Sequence, residues 1–370
     1  MPLGGILTAF AGGAAGESRR QAEEKISMLR AHSLEQLRAR SGGQGESMSN
    51  LREASITRDQ ALEAGLEDRF PARLREAETE EDLQGADVVI VGAPYEGAAG
   101  VARTYSQNLL TPINLRKDSI KYGGYLPEFD IDVFEQLNIV DYGDASVPVR
   151  ARPQEAIEAV SNKIYDVLQA DAIPIVIGGI EVGASYPLIK ELSKIDYLNN
   201  IGCITFDAHG DNLDSHKGEL FSGATWLARM AELEGINMEN HTHIGMRGPR
   251  NFKEQITWFR EQGTRLITSH EFKEKGRNAI IEEISKTSIL NTDGVFVSID
   301  YDVLDIGCAP GLDEPMGLSV EDLLYLLKKI GEENGKALSL GWLPTSNKPL
   351  HWIAVWTILY FLAGICLKNN

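Results

Sequence analysis

From residue 86 onward the apolar positions fall into short, nearly unbroken runs. ADVVIVGAP (86–94), LNIVDYGD (137–144), AIPIVIGG (172–179), IGCITFDAHGD (201–211), HTHIGMRG (241–248) and GVFVSIDYD (294–302) share one style. Each is rich in β-branched residues and closes on glycine, proline or acidic positions. Runs of this length without alternation predict strands buried on both faces. Between them, apolar residues return at helical spacing, as in PQEAIEAVSNKIYDVLQA (153–170) and SVEDLLYLLKKIGEEN (319–334). Strand, polar turn and helix in repetition predict an α/β fold with a mainly parallel sheet covered on both sides. Neither GxGxxG nor GxxxxGK[ST] occurs, so dinucleotide and P-loop chemistry have no support.

The pattern differs at both ends. Residues 17–40 carry Ile26, Leu29, Leu34 and Leu37 among helix formers, SGGQGESMSN (41–50) reads as a linker, and polar helical sequence continues to about residue 80. We read 1–80 as a helical extension, an arm against another subunit, and 81–370 as one domain. The apolar stretch 353–367 is shorter than the ~20 residues of a membrane span, so it is expected to be a buried terminal helix. The first residues lack a basic segment before Arg19, so no secretory leader is expected.

Composition narrows the partners. The 370 residues carry 36 Lys and Arg against 54 Asp and Glu, a formal net charge of −18. Such a surface repels phosphate backbones, which argues against nucleic acid. Cys203, Cys308 and Cys366 are odd in number and far apart, so no disulfide framework or zinc ribbon is expected. A cytoplasmic protein without membrane partners fits these features.

The chemistry lies at the strand ends. Asp207, His209 and Asp211 alternate after one apolar run, and Asp300 and Asp302 after another, with no Lys or Arg between Thr287 and Lys328. Buried carboxylates need compensation, and ligands of open α/β sheets bind beyond the carboxyl ends of strands. Caps and turns account for any one of these residues, but not readily for two alternating clusters. Oxygen-rich ligation with imidazole favours Mn²⁺ or Ni²⁺ over a thiolate zinc site.

DAHGD (207–211) and SIDYDVLD (298–305), followed by APG (309–311), resemble the signature motifs of the ureohydrolase family, which includes arginases, agmatinases and guanidine hydrolases. The resemblance extends over about residues 85–365. It implies a three-layer α/β/α sandwich, trimeric or hexameric assembly, and a binuclear centre that adds hydroxide to a guanidinium carbon. DAHGDN and the long N-terminal segment resemble most the branch containing guanidine hydrolase and metformin hydrolase.

Carried over residue by residue, the family pattern makes Asp207, His209, Asp211, Asp300 and Asp302 metal ligands. The sixth position departs from it. GGIEV replaces a GGDHS-like turn, so Glu181 stands where a ligand His belongs and Ile180 where an Asp does. Ser222 in FSGAT stands where a His assists proton transfer, and serine is no proton shuttle near neutrality. His216 lies six residues too early to replace it. In APGLDEPMGLS, Met316 follows Pro315 where the family has the Glu that holds the guanidinium, and the shortened loop argues against Asp313 or Glu314 taking that role. A late EVxP glutamate is Gly341 in GWLP. These losses together imply a vestigial or partly occupied centre and a non-catalytic subunit, a pseudoenzyme. The expected partner is an active ureohydrolase paralogue in a hetero-oligomer, a hexamer, with a guanidino small molecule as substrate and Ni²⁺ or Mn²⁺ in the complex. The alternative is an active Mn- or Ni-dependent hydrolase of guanidine or a substituted guanidine, with Glu181 as sixth ligand.

Overall fold

The computed structural model describes residues 53–97, 108–148, 150–195, 198–344 and 347–369. Its strands in chain order are β1 (Arg75–Glu76), β2 (Val88–Ala93), β3 (Tyr125–Leu126), β4 (Ile131–Asp132) and β5 (Ile139–Asp144). They continue as β6 (Ile173–Gly178), β7 (Ile201–Phe206), β8 (His241–Met246), β9 (Arg265–Thr268), β10 (Gly294–Asp300) and β11 (Gly335–Trp342). Nine of them form one sheet in the order β1-β5-β2-β6-β11-β10-β7-β8-β9. Every pairing in it is parallel. β3 and β4 make a separate antiparallel pair.

The apolar runs sort onto two faces because side chains alternate along a strand. Val295, Val297 and Ile299 of β10 join a core with the helices Val320–Glu333 and Lys348–Asn369. Phe296 faces the other way, into a core with the helices Pro153–Gln169 and Glu181–Leu192. Helices therefore cover both faces of the sheet, as the pattern predicted. The face toward Glu181–Leu192 also carries a polar row, since register aligns Ser298 of β10 with Ser339 of β11 and Thr205 of β7. Ser185 of that helix bonds the first two hydroxyls, at 2.8 and 3.0 Å. One step further along the same face come Asp207 and Asp300.

Of the segment read as an arm, residues 1–52 lie outside the described residues. The described part of that segment is continuous with the sheet domain. Phe70 and Leu74 enter the first core, and β1 pairs with β5 at the sheet edge.

The terminal helix runs Lys348–Asn369, longer than the apolar stretch alone suggested. By length and composition it could cross a membrane, yet most of it is buried inside the fold. Leu350, Val355, Ile358 and Phe361 pack in the core with Val320–Glu333. His351 anchors it, with Nδ1 2.9 Å from Asp118 Oδ2 and Nε2 3.1 Å from Pro344 O.

Candidate metal centre

β7 and β10 are neighbours in space and distant in sequence, and their ends bring the two acidic motifs together. Asp207 follows β7 and still donates its N–H to Ile244 O of β8 (2.9 Å). β10 ends on Asp300, whose Oδ1 accepts the N–H of Asp302 (2.7 Å) and caps the short turn Tyr301–Val303. That cap turns Asp302 toward the other motif. Its Oδ1 accepts the Ala208 N–H (3.0 Å), and its Oδ2 lies 2.9 Å from His209 Nδ1. Asp207 Oδ1 accepts the His209 N–H (2.6 Å). Ligand atoms of Asp207, His209 and Asp302 lie within 4.8 Å of one another.

The other expected ligands sit nearby without joining that group. Glu181 is the first residue of its helix, only 3% exposed, and its Oε1 has no hydrogen-bond partner. Its side chain shares a hydrogen bond with Asp300. Asp211 takes a left-handed backbone (φ 44°) and gives its carbonyl to the Leu227 N–H. Among the described residues, only Asp207, His209 and Asp302 converge closely enough to share one small cation.

Charge at the centre is strongly perturbed. Burial, then the neighbouring Asp211, pushes the Glu181 carboxyl up to about 8. Burial is also the main cause for Asp211, which rises to about 7. Asp207 and Asp300 are both held well above the usual carboxylate range, by burial and by the acids beside them. Asp302 runs the other way. Burial acts against it, but the His209 hydrogen bond and charge and the Ala208 N–H hold it below the ordinary value. For His209, burial acts downward and is outweighed by Asp302, so the imidazole rises to about 9. Protons and one imidazolium thus compensate the cluster.

The same residues fit one divalent cation. Asp207 Oδ2 is buried with no partner, and it belongs to the group that converges. Asp207, His209 and Asp302 would hold the ion, an oxygen-and-imidazole set suited to Mn²⁺ or Ni²⁺. A cation there would supply Lewis acidity.

Ser222 is buried, and its backbone N–H (2.8 Å) and Oγ (3.1 Å) both face Thr225 Oγ1 in a tight turn. Its hydroxyl is engaged by the Thr225 hydroxyl. Met316 is 59% exposed with φ 65°, so its thioether lines no closed substrate pocket. Glu314 departs from expectation. The shortened loop does bring it inward, where it is 6% exposed and its Oε1 lies 3.1 Å from His209 Nε2 and 3.0 Å from Arg250 Nη1. Arg247 folds that loop, donating to the carbonyls of Pro315, Asp302, Leu304 and Glu314 at 2.7–3.0 Å. Motif spacing hid Glu314. The one available signal was an acidic pair, Asp313–Glu314, beside the metal motif.

Two imidazoles that the motifs did not single out, His241 and His243, lie fully buried on β8. Both face Thr205 Oγ1, at 2.9 and 2.8 Å, and burial holds both neutral, His243 at about 3.

A parallel sheet with a carboxylate–imidazole cluster at its strand ends has its candidate site where open α/β sheets bind ligands. The Arginase family profile matches residues 86–340, and the chain belongs to that family. Its relatives include an agmatinase of Pyrococcus horikoshii, 29% identical over 257 residues, which are 67% of this chain and 81% of that one. A guanidinobutyrase of Pseudomonas aeruginosa is 24% identical over 243 residues, 66% and 73% of the two chains. Among solved structures, formimidoylglutamase of Bacillus subtilis superposes with a TM-score of 0.71 at 23% identity, covering 80% of this chain and 92% of that one. Trypanosoma cruzi formiminoglutamase with Mn²⁺ gives 0.68 at 22% identity, covering 79% and 96%.

Proposed function

We propose that this chain is an accessory, non-catalytic subunit of a metal-dependent guanidino-group hydrolase, acting beside an intact ureohydrolase paralogue in a hetero-oligomer, as a hexamer. The observation that carries the reading is the set of departures from the family pattern, with Glu181 and Ser222 where it has histidines and Met316 where it has a glutamate. Asp207, His209 and Asp302 lie together, and Glu181 sits beside Asp300. A two-ion centre that activates a shared water needs metals ~3.5–4 Å apart with ligands for both. Ser222, bonded to the Thr225 hydroxyl, and Met316, in solvent, add to it, since neither assists proton transfer or receives a guanidinium. Losing an acid–base group alone lowers rates by roughly 10²–10⁴.

The complex we assign is metformin hydrolase, converting metformin and water to guanylurea and dimethylamine, with Ni²⁺ or Mn²⁺ in the complex. The sequence features behind this assignment are the DAHGDN motif and the long N-terminal segment. The test is turnover of metformin, guanidine, agmatine and 4-guanidinobutyrate by the chain alone, by the paralogue alone and by the two together. Metformin hydrolysis confined to the mixture supports the reading, and hydrolysis by this chain alone overturns it.

A second reading has its own observation. The unpartnered Asp207 Oδ2 and Glu181 Oε1 are free to ligate, which favours an active Mn- or Ni-dependent hydrolase of guanidine or a substituted guanidine. Two tightly held ions per isolated chain would favour it.

A further inference from the structure

The two ring nitrogens of His209 face different partners. Nδ1 faces the metal-ligating group, 2.9 Å from Asp302 Oδ2 and 3.7 Å from Asp207 Oδ1. Nε2 faces Glu314 Oε1 at 3.1 Å. A carboxylate oxygen only accepts, so in the metal-free fold both ring nitrogens carry hydrogens, Nδ1 toward Asp302 and Nε2 toward Glu314. When a cation arrives beside Asp207 and Asp302 the Nδ1 hydrogen is displaced to solvent, while the Nε2 hydrogen stays directed at Glu314 and leaves the Nδ1 lone pair facing the ion. A ligating histidine that donates its other N–H to a carboxylate is fixed in tautomer and ring orientation and made more basic.

Glu314 is itself held from three sides. Arg250 Nη1 donates to its Oε1 (3.0 Å), while its backbone carbonyl accepts from Arg247 Nη2 (2.9 Å) and from the Ile306 N–H (3.1 Å). Gly248 gives it room. A Cβ there would approach Glu314 Oε2 to 3.2 Å, and the backbone at Gly248 is left-handed, φ 76°. Burial keeps bulk water from replacing the carboxylate.

We propose that Glu314 is the positioning residue that presents Nδ1 of His209 to a divalent cation shared with Asp207 and Asp302. The proposal rests on reading the centre as a one-cation site. It gives Glu314 a role through the imidazole, distinct from contact with a guanidinium.

The probe is Co²⁺, titrated into the purified full-length chain and followed by its visible absorption. Glu314→Ala is expected to weaken Co²⁺ binding by about 10–100-fold and to alter the ligand-field bands, because the ring is no longer fixed. Glu314→Gln keeps an acceptor oxygen and is expected to recover most of the affinity, which a merely structural loss would not do. It also serves should the alanine variant fail to fold. Asp313→Ala, on the exposed neighbour, should leave binding unchanged. Unchanged or tighter Co²⁺ binding in Glu314→Ala would overturn the proposal, the tighter result meaning that Glu314 blocks the site. Absence of Co²⁺ binding in the wild-type chain overturns it as well. Failure of the accessory-subunit reading shows elsewhere, in guanidine turnover by the wild-type chain alone.

Discussion

Glu181 fills the space that a side chain at position 341 would require. A Cβ at Gly341 would lie 3.0 Å from Glu181 Cγ and 2.7 Å from Ser185 Oγ. The glutamate at the helix start and the glycine at the end of β11 are therefore sterically linked, although they are far apart in sequence. Overpacking of this kind costs about 1–3 kcal/mol. Gly341→Ala should destabilise the protein by that order, and Glu181→Ala should relieve part of the loss. A urea-denaturation double-mutant cycle measures the coupling. Strict additivity would show that the two side-chain volumes do not compete.

Stability of the metal-free protein should fall as pH rises. Glu181 titrates at about 8 and Asp211 at about 7 in the fold, each raised chiefly by burial. In the unfolded chain such acids titrate near roughly 4. Between those values the unfolded state has released protons that the folded state keeps, so their contribution is lost with increasing pH. His209, raised to about 9, contributes below its unfolded value and loses that contribution as pH rises through about 9. Asp302 alone is shifted downward, and it matters only in acid. Thermal midpoints in chelator should therefore decline from pH 5.5 to 8.5, and Mn²⁺ should flatten the curve by replacing protons. A midpoint that rises with pH in chelator would contradict this charge assignment.

Glu181→His should increase metal retention without producing turnover. The change adds an imidazole and removes the acid that shares a hydrogen bond with Asp300. Ser222 stays bonded to the Thr225 hydroxyl, Met316 stays in solvent, and Glu314 stays engaged by His209 and Arg250, so no group is freed for proton transfer or a guanidinium. Elemental analysis and product assay on the same variant test both halves. Robust hydrolysis from this single change would show that the ligand alone limited activity.

Much of the fold was legible because six strands are apolar, β-branched and bounded by turn residues. β11 was not. Its sequence, GKALSLGW, offers leucine, alanine and serine with glycine at position 341, and no β-branched residue. It is a strand because it lies between β6 and β10, a tertiary cause. β9 was missed for its brevity, with only Arg265–Thr268 to mark it. In the centre, alternation singled out Asp207, His209 and Asp302, which the ends of β7 and β10 bring together. Glu314 escaped because its position depends on Arg247 gathering carbonyls from three segments of chain, which no local pattern encodes.

We propose that this chain supports a catalytic centre in its partner and does not use its own. The direct measurement is metformin hydrolysis by the reconstituted complex, with Asp207→Asn and Asp302→Asn introduced first here and then at the matching positions of the partner. Sizing of each complex confirms assembly. Activity should be nearly unchanged when the substitutions are in this chain, and lost when they are in the partner. If Asp302→Asn in this chain abolishes hydrolysis while the complex still assembles, its own centre is catalytic and the accessory role is refuted.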